Sequence, residues 1–99
     1  MPITVPGKPF RSMTSSATAE FWKQYRALPR DVRELARKAF RQWLENPSHP
    51  SLHWKRLRGN VWSVRISYQY RAVARVQGEE ALWFWIGSHA EYDRLLRGI

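Results

Sequence analysis

From Val61 to Ile66 the residues alternate in character, with Val61, Ser63 and Arg65 on one face of a strand and Trp62, Val64 and Ile66 on the other. The same period-two reading predicts strands near His53 to Leu57, Val61 to Ser67, Tyr70 to Val76 and Ala81 to Ile86. Gly59-Asn60, Tyr68-Gln69 and Gln77 to Glu80 are the turns between them. Upstream the period is helical. Phe21, Trp22, Tyr25 and Leu28 recur at helical spacing behind Thr14, Ser15 and Ser16, whose side-chain oxygens can cap a helix over about Ala17 to Leu28. Pro29 suits the first position of a second helix, and Asp31 and Glu34 complement its positive start. Val32, Leu35, Ala36, Ala39, Phe40 and Trp43 form the apolar stripe of that helix, which runs to about Glu45 and stops at Asn46 to Pro50. Near the end of the chain Ser88 and Glu91 have capping-box spacing, and Tyr92, Leu95 and Leu96 make a short amphipathic helix ended by Gly98.

The connections between strands are too short for parallel crossovers. The pattern therefore predicts an α+β fold: a mostly antiparallel meander with two helices packed on one face, the last helix near the sheet edge, and the other face open. Residues 1 to 9 hold three prolines and a glycine and read as an extended arm, and Lys8 to Met13 can add a short edge strand. With 99 residues, 43% of them hydrophobic and six of them Trp, the chain fits one compact domain.

Charge sharpens this picture. The chain carries a formal net charge of +9, and Lys55, Arg56, Arg58, Arg65, Arg71 and Arg75 fall in a stretch with no Asp or Glu. Trp54, Trp62, Tyr68 and Tyr70 are interleaved with them, which joins cations to flat rings, as phosphates and bases require. A polyanion, or an acidic protein that neutralises the same surface, is the implied partner. The absence of cysteine excludes disulfides and thiolate metal sites, and the three histidines lack companions at ligand spacing, so neither metal nor cofactor is expected. No apolar run approaches the ~20 residues of a membrane span and the N-terminus lacks signal-peptide order, so a cytoplasmic protein is expected.

The order of elements, with Leu28-Pro29, VWSVRI over Val61 to Ile66, YRA over Tyr70 to Ala72 and WFWIGSHAEYDRLL over Trp83 to Leu96, resembles the RelE/ParE superfamily of bacterial toxins. The resemblance spans roughly Phe10 to Leu96 and is nearest to the branch ending in an HAEYDRL-type motif. It implies two helices on a twisted antiparallel sheet, a cognate antitoxin as partner, and a place in a type II toxin–antitoxin system. It also implies one of two activities. RelE-like members cut messenger RNA in the ribosomal A site, whereas ParE-like members poison DNA gyrase and cut nothing themselves. A degenerate toxin that only binds its partner is a third reading.

Metal-free RNA cleavage needs an activated 2′-hydroxyl, a stabilised phosphorane and a protonated leaving oxygen. Arg65 and Arg71, on the expected open face of neighbouring strands, can hold a scissile phosphate in bidentate fashion. By resemblance they take the places of the strand lysine and the Tyr-Arg pair of RelE-like nucleases. His89 opens the last helix, where the helix dipole favours the neutral ring of a base, and Tyr92 lies one turn on, able to orient or donate. Lys55, Arg56, Arg58 and Arg75 are candidate nucleic-acid contacts, although Lys55 and Arg56 point to opposite faces and cannot share one flat site. His49 and His53 read as solvated or capping residues. Trp83 and Trp85 alternate with Leu82, Phe84 and Ile86, so one set faces the helices and the other leaves an apolar floor for a base or a partner's side chains. Two departures from RelE-like nucleases stand out: Ser63 replaces a strand lysine, and His89 lies near the place of a late arginine.

Overall fold

The computed structural model describes residues 13–98. Its order is β1 (Thr14–Ala17), α1 (Ala19–Arg26), α2 (Arg30–Glu45), a 3-10 turn (Pro50–Leu52), β2 (Lys55–Arg58), β3 (Val61–Ser67), β4 (Tyr70–Gln77), β5 (Glu80–Ser88) and α3 (His89–Arg97). The five strands form one sheet in the order β1-β5-β4-β3-β2, antiparallel except that β1 lies parallel to β5. The expected α+β fold is therefore present. The N-terminal arm and all but the last residue of the edge strand expected at Lys8 to Met13 lie outside the described residues.

Thr14, Ser15 and Ser16 belong to β1 and do not cap the first helix. Trp83 on β5 donates its indole N–H to Ser15 Oγ at 2.8 Å, and the free edge of β5 draws this segment into the ladder. The cap falls instead to Thr18, whose Oγ1 accepts from Phe21 N–H at 3.1 Å, three residues before the first large buried side chain. The two helices run antiparallel, because Phe21 meets Phe40 at 5.9 Å while Tyr25, one turn later, accepts from Arg37 at 2.8 Å, nearly one turn earlier. Arg33 ties the connection by donating to Leu28 O at 2.8 Å, which occupies a carbonyl that the end of α1 leaves free.

Val32, Ala36, Ala39 and Trp43 are the buried stripe of α2. Leu35, expected with them, is 42% exposed because it sits at the rim of the helix–sheet contact. Beneath the helices Val64, Ile66, Ala72, Ala74, Ala81 and Trp83 line the sheet. Trp83 is the hub, with Phe40 at 4.8 Å, Trp43 at 5.2 Å and Trp54 at 5.8 Å. The small residues of β4 let these rings approach the sheet closely.

Three expectations change at the sheet. The strand expected from His53 begins at Lys55, since Pro50 starts a 3-10 turn and His53 ends it in the left-handed region at φ 45°. Trp83 and Trp85 do not share a face. Opposite Val73 and Ala74, β5 carries one extra residue, Phe84, so that Trp83 pairs with Ala74 and Trp85 with Val73, on opposite sides of the sheet. The face expected to stay open is covered by α3, not merely flanked at its edge. Tyr92 is 4% exposed and joins Val61 and Val73 in a second core, with Leu57, Phe84, Trp85, Leu95 and Leu96 packed around it. The apolar floor of β5 is thus filled by the chain's own last helix.

Trp43→Ala is expected to destabilise the fold by roughly 3 to 5 kcal/mol, as measured by equilibrium denaturation, because a wholly buried ring leaves a cavity between α2 and Trp83. Trp43→Phe should cost less, since Trp43 Nε1 has no acceptor among the described residues to lose.

The capping box of α3 carries a pH dependence. Ser88 N–H and Oγ both donate to Glu91 Oε1 at 2.9 Å, and these bonds lower the Glu91 carboxyl below its ordinary value. A carboxyl lowered in the folded state stabilises above its unfolded value, and that contribution is lost as pH falls through the lowered one. Ser88→Ala should cost about 1 kcal/mol at neutral pH. The gap to wild type should narrow in denaturation series as pH falls below the ordinary glutamate range and Glu91 protonates.

Candidate nucleic-acid interface and reaction site

The register of the sheet sets which cations meet. Arg65 on β3 lies directly opposite Arg71 on β4, with Ser63 opposite Val73 and Val61 opposite Arg75. Paired residues of an antiparallel ladder share a face, so Arg65 and Arg71 stand together on the face away from α1 and α2. Two like charges directly opposite each other repel. Partial burial and the neighbouring Arg65 both lower the Arg71 guanidinium from its ordinary value, with Tyr92 and Asp93 acting in the other direction.

Each arginine is restrained. Arg71 Nη1 donates to three carbonyls of the β3–β4 turn, Ser67 O at 2.7 Å, Tyr70 O at 3.0 Å and Tyr68 O at 3.4 Å. A turn must leave carbonyls unpaired, and a guanidinium from the strand that follows satisfies them while keeping its charge at the surface. Arg65 Nη1 lies 3.4 Å from His53 Nε2, and its Cζ sits 5.8 Å from the ring centroid of Tyr68.

The last helix reaches the same end of the sheet. His89 N–H donates to Gln69 O at 2.7 Å, which fastens the start of α3 to the β3–β4 turn that holds Arg71. Gly87 leaves room beside it for the Trp85 ring and the Glu91 carboxylate of the capping box: a Cβ there would meet Trp85 Cζ2 at 2.8 Å and Glu91 Oε1 at 3.0 Å. His89 Nδ1 lies 3.2 Å from Asp93 Oδ2, one helical turn on, and both side chains are about half exposed. Arg65, Arg71, His89 and Asp93 therefore gather at one end of one face. Asp93 was not among the residues expected at this site, although its four-residue spacing from His89 is a readable signal.

Tyr92 sits below this cluster, not within it. Its hydroxyl donates to Ser63 Oγ at 3.2 Å in a buried contact, and its ring lies 5.8 Å from His89 and 6.3 Å from Trp85. Ser63, at the place where the resemblance implies a lysine, is 2% exposed and serves as the acceptor for that phenol. The remaining basic residues are dispersed. Lys55 pairs with Ser63 on the same face, Arg56 pairs with Trp62 on the other, and Arg58 follows an irregularity in β2. Arg75 is exposed with its guanidinium over Phe84 at 5.2 Å, about 13 Å along β4 from Arg71 at the strand rise. His49 caps the 3-10 turn, accepting from Ser51 N–H at 3.2 Å. Among the described residues no three side chains of the types His, Cys, Asp and Glu converge as a metal site would require. Among the described residues no helix is long and apolar enough to cross a membrane.

Comparison with known proteins agrees with this architecture. Residues 30–94 match the ParE-like toxin domain. No curated protein sequence matches the chain. Among solved structures, the chain is similar to the YoeB/ParE toxin from Agrobacterium tumefaciens, with 22% identity and a TM-score of 0.63 over 78% of this chain and 99% of that one. A chain of the RelB-RelE antitoxin-toxin complex from Methanococcus jannaschii has 18% identity and a TM-score of 0.63, over 79% of this chain and 95% of its own. The isolated E. coli RelE toxin has 18% identity and a TM-score of 0.60, over 89% of this chain and all of its own. The match covers α2, every strand but β1 and most of α3, and on it the chain belongs to the ParE-like toxin family, within the RelE/ParE superfamily.

Proposed function

We propose that this protein is the toxin of a type II toxin–antitoxin pair and that it acts in the cytoplasm as a ribosome-associated, metal-independent mRNA endoribonuclease. The observation that carries the reading is the opposed pair Arg65 and Arg71, set beside the His89–Asp93 pair at the start of α3. A gyrase poison requires a binding surface alone. An acid–base pair beside two guanidiniums is what phosphodiester cleavage uses.

In this mechanism the RNA phosphate lies against the two arginines. His89, held by Asp93, takes the 2′-hydroxyl proton as the 2′-oxygen attacks phosphorus. Arg65 and Arg71 stabilise the extra negative charge of the phosphorane. The bond from phosphorus to the 5′-oxygen then breaks, leaving a 2′,3′-cyclic phosphate, and the leaving oxygen takes its proton from the imidazolium or from water. Tyr92 has an orienting role: its bond to Ser63 fixes α3 on the sheet and so places His89. The ribosome supplies substrate alignment that so small a site lacks. A cognate antitoxin with an acidic segment is the natural partner of the same basic face, and similar folds occur in antitoxin complexes from Methanococcus jannaschii and E. coli.

Arg71→Ala should lower cleavage about 100-fold or more in single-turnover assays on programmed ribosomes. His89→Gln should lower it by a similar factor, and Asp93→Asn by about tenfold in kcat with KM unchanged, as expected of a residue that acts through the imidazole. Circular dichroism should show these variants folded. Primer extension on translated message decides the class when run beside supercoiling and DNA-cleavage assays of gyrase. Cut message with unaffected gyrase supports the reading, and intact message with trapped gyrase–DNA complexes replaces it with the ParE-like activity.

A further inference from the structure

Beside Arg65 the sheet opens into a cleft of about 370 Å³, lined by Lys38 and Gln42 of α2, Ser51 and Leu52 of the 3-10 turn, and Arg65 and Tyr68 at the end of β3. The volume lies within the ordinary range for small-ligand sites, about 300 to 1,000 Å³. Its floor is apolar, from Leu52 and neighbouring Ile66, and its rim carries two cations and no carboxylate. The wall is braced. Ser51 Oγ donates to Gln42 Oε1 at 3.3 Å, Gln42 Nε2 lies 3.4 Å from His49 Nε2, and Ser51 N–H donates to His49 Nδ1.

Tyr68 is the unusual member. It is 78% exposed at the tip of the β3–β4 turn, and Arg65 sits over its ring, which restrains a side chain that would otherwise be free in solvent. His53, whose left-handed backbone is uncommon for a residue with a side chain, places its Nε2 3.4 Å from Arg65 Nη1. Arg65, paired with Arg71 across the strands, thus also lines the cleft.

We propose that this cleft is a subsite for one nucleotide flanking the scissile phosphate of single-stranded RNA, with the base stacked on Tyr68 and its phosphate held by Arg65 and Lys38. An exposed aromatic ring, an apolar floor and a rim of two cations match the three parts of a nucleotide that need recognition: a flat base, a sugar and an anion. An acidic peptide would use the cations but has no need of an exposed ring. The subsite rests on the RNA reading above and adds a specificity-determining residue to it. His53 is a positioning residue in this arrangement, acting through Arg65.

The test is fluorescence anisotropy with a labelled RNA hexamer on full-length protein, together with a map of cut positions on ribosome-bound message. Tyr68→Ala should weaken hexamer binding about tenfold and change the base preference beside the cut, while Tyr68→Phe, which keeps the ring, should stay within about twofold. Lys38→Gln should reduce the slope of log affinity against log salt by about one. Hexamer binding and cut-site preference unchanged in Tyr68→Ala would overturn the subsite and leave the nuclease reading standing. Wild-type protein that neither binds the hexamer nor cuts message would remove both. Loss of antitoxin affinity in Tyr68→Ala, with RNA binding intact, would assign the cleft to the protein partner and overturn the proposal.

Discussion

Trp83 and Trp85 are one residue apart on the same strand and yet belong to different cores. The extra residue at Phe84 is the constraint on which the rest of the molecule depends. A regular strand would have sent both indoles to one side, crowding the helices and leaving nothing on the other face for Tyr92, Leu95 and Leu96 to cover. With the bulge, Trp83 anchors α1 and α2 through Phe40 and Trp43, and Trp85 offers α3 a surface. Gln24 reinforces the arrangement from α1, since its Oε1 accepts from Ile86 N–H at 3.0 Å on the part of β5 that β1 does not reach.

The position of the site follows from that packing. Trp85 and Ser63 hold Tyr92, Tyr92 holds α3, and the bond from His89 N–H to Gln69 O closes the helix onto the turn where Arg71 is tied. Each polar residue of the cluster thus has a structural partner that orients it and a face left to the solvent. Arg71 shows the balance most clearly. Three turn carbonyls draw its guanidinium in, while partial burial and Arg65 act against its charge, and a phosphate placed between the two arginines would relieve that repulsion. A pair of like charges held together by the fold is poised for an anion.

Much of this was legible in the sequence. The alternation of Val61 to Ile66 marks the two faces of β3, but the pairing of Arg65 with Arg71 depends on the register shift between Arg65 and Ser67, since a regular two-residue turn would set Arg65 opposite Ala72. Ser88 and Glu91 marked the start of α3 because a capping box is a local device. What escaped was non-local. Thr14 to Ser16 carry the side chains of a cap, and only the free edge of β5, more than sixty residues away, makes them a strand. The bulge at Phe84 leaves no mark on a run of apolar residues, so the split between Trp83 and Trp85 was unreadable. The burial of Tyr92 was half visible, since its stripe with Leu95 and Leu96 predicts a buried face but not which surface receives it. Asp93 is readable from its four-residue spacing behind His89.

The distribution of charge separates two tasks that composition alone runs together. Arg75 lies about 13 Å from Arg71 along β4, beyond the ~8 Å over which exposed charges interact at physiological salt. Lys55 and Arg58 lie at the sheet edge, and Arg56 is on the reverse face. None of them can add much to stabilisation of a phosphorane held by Arg65 and Arg71. Their contribution in the proposed mechanism is to the approach and alignment of a long polyanion, where screened charges still act together through the net field. In the proposed mechanism chemistry is local to the end of the sheet where the β3–β4 turn meets α3, and attraction is spread over the molecule. On that reading, removing a distant cation should alter association and its salt dependence, whereas disturbing Asp93 or Tyr92 should alter turnover, because those residues would set the geometry in which His89 meets the phosphate.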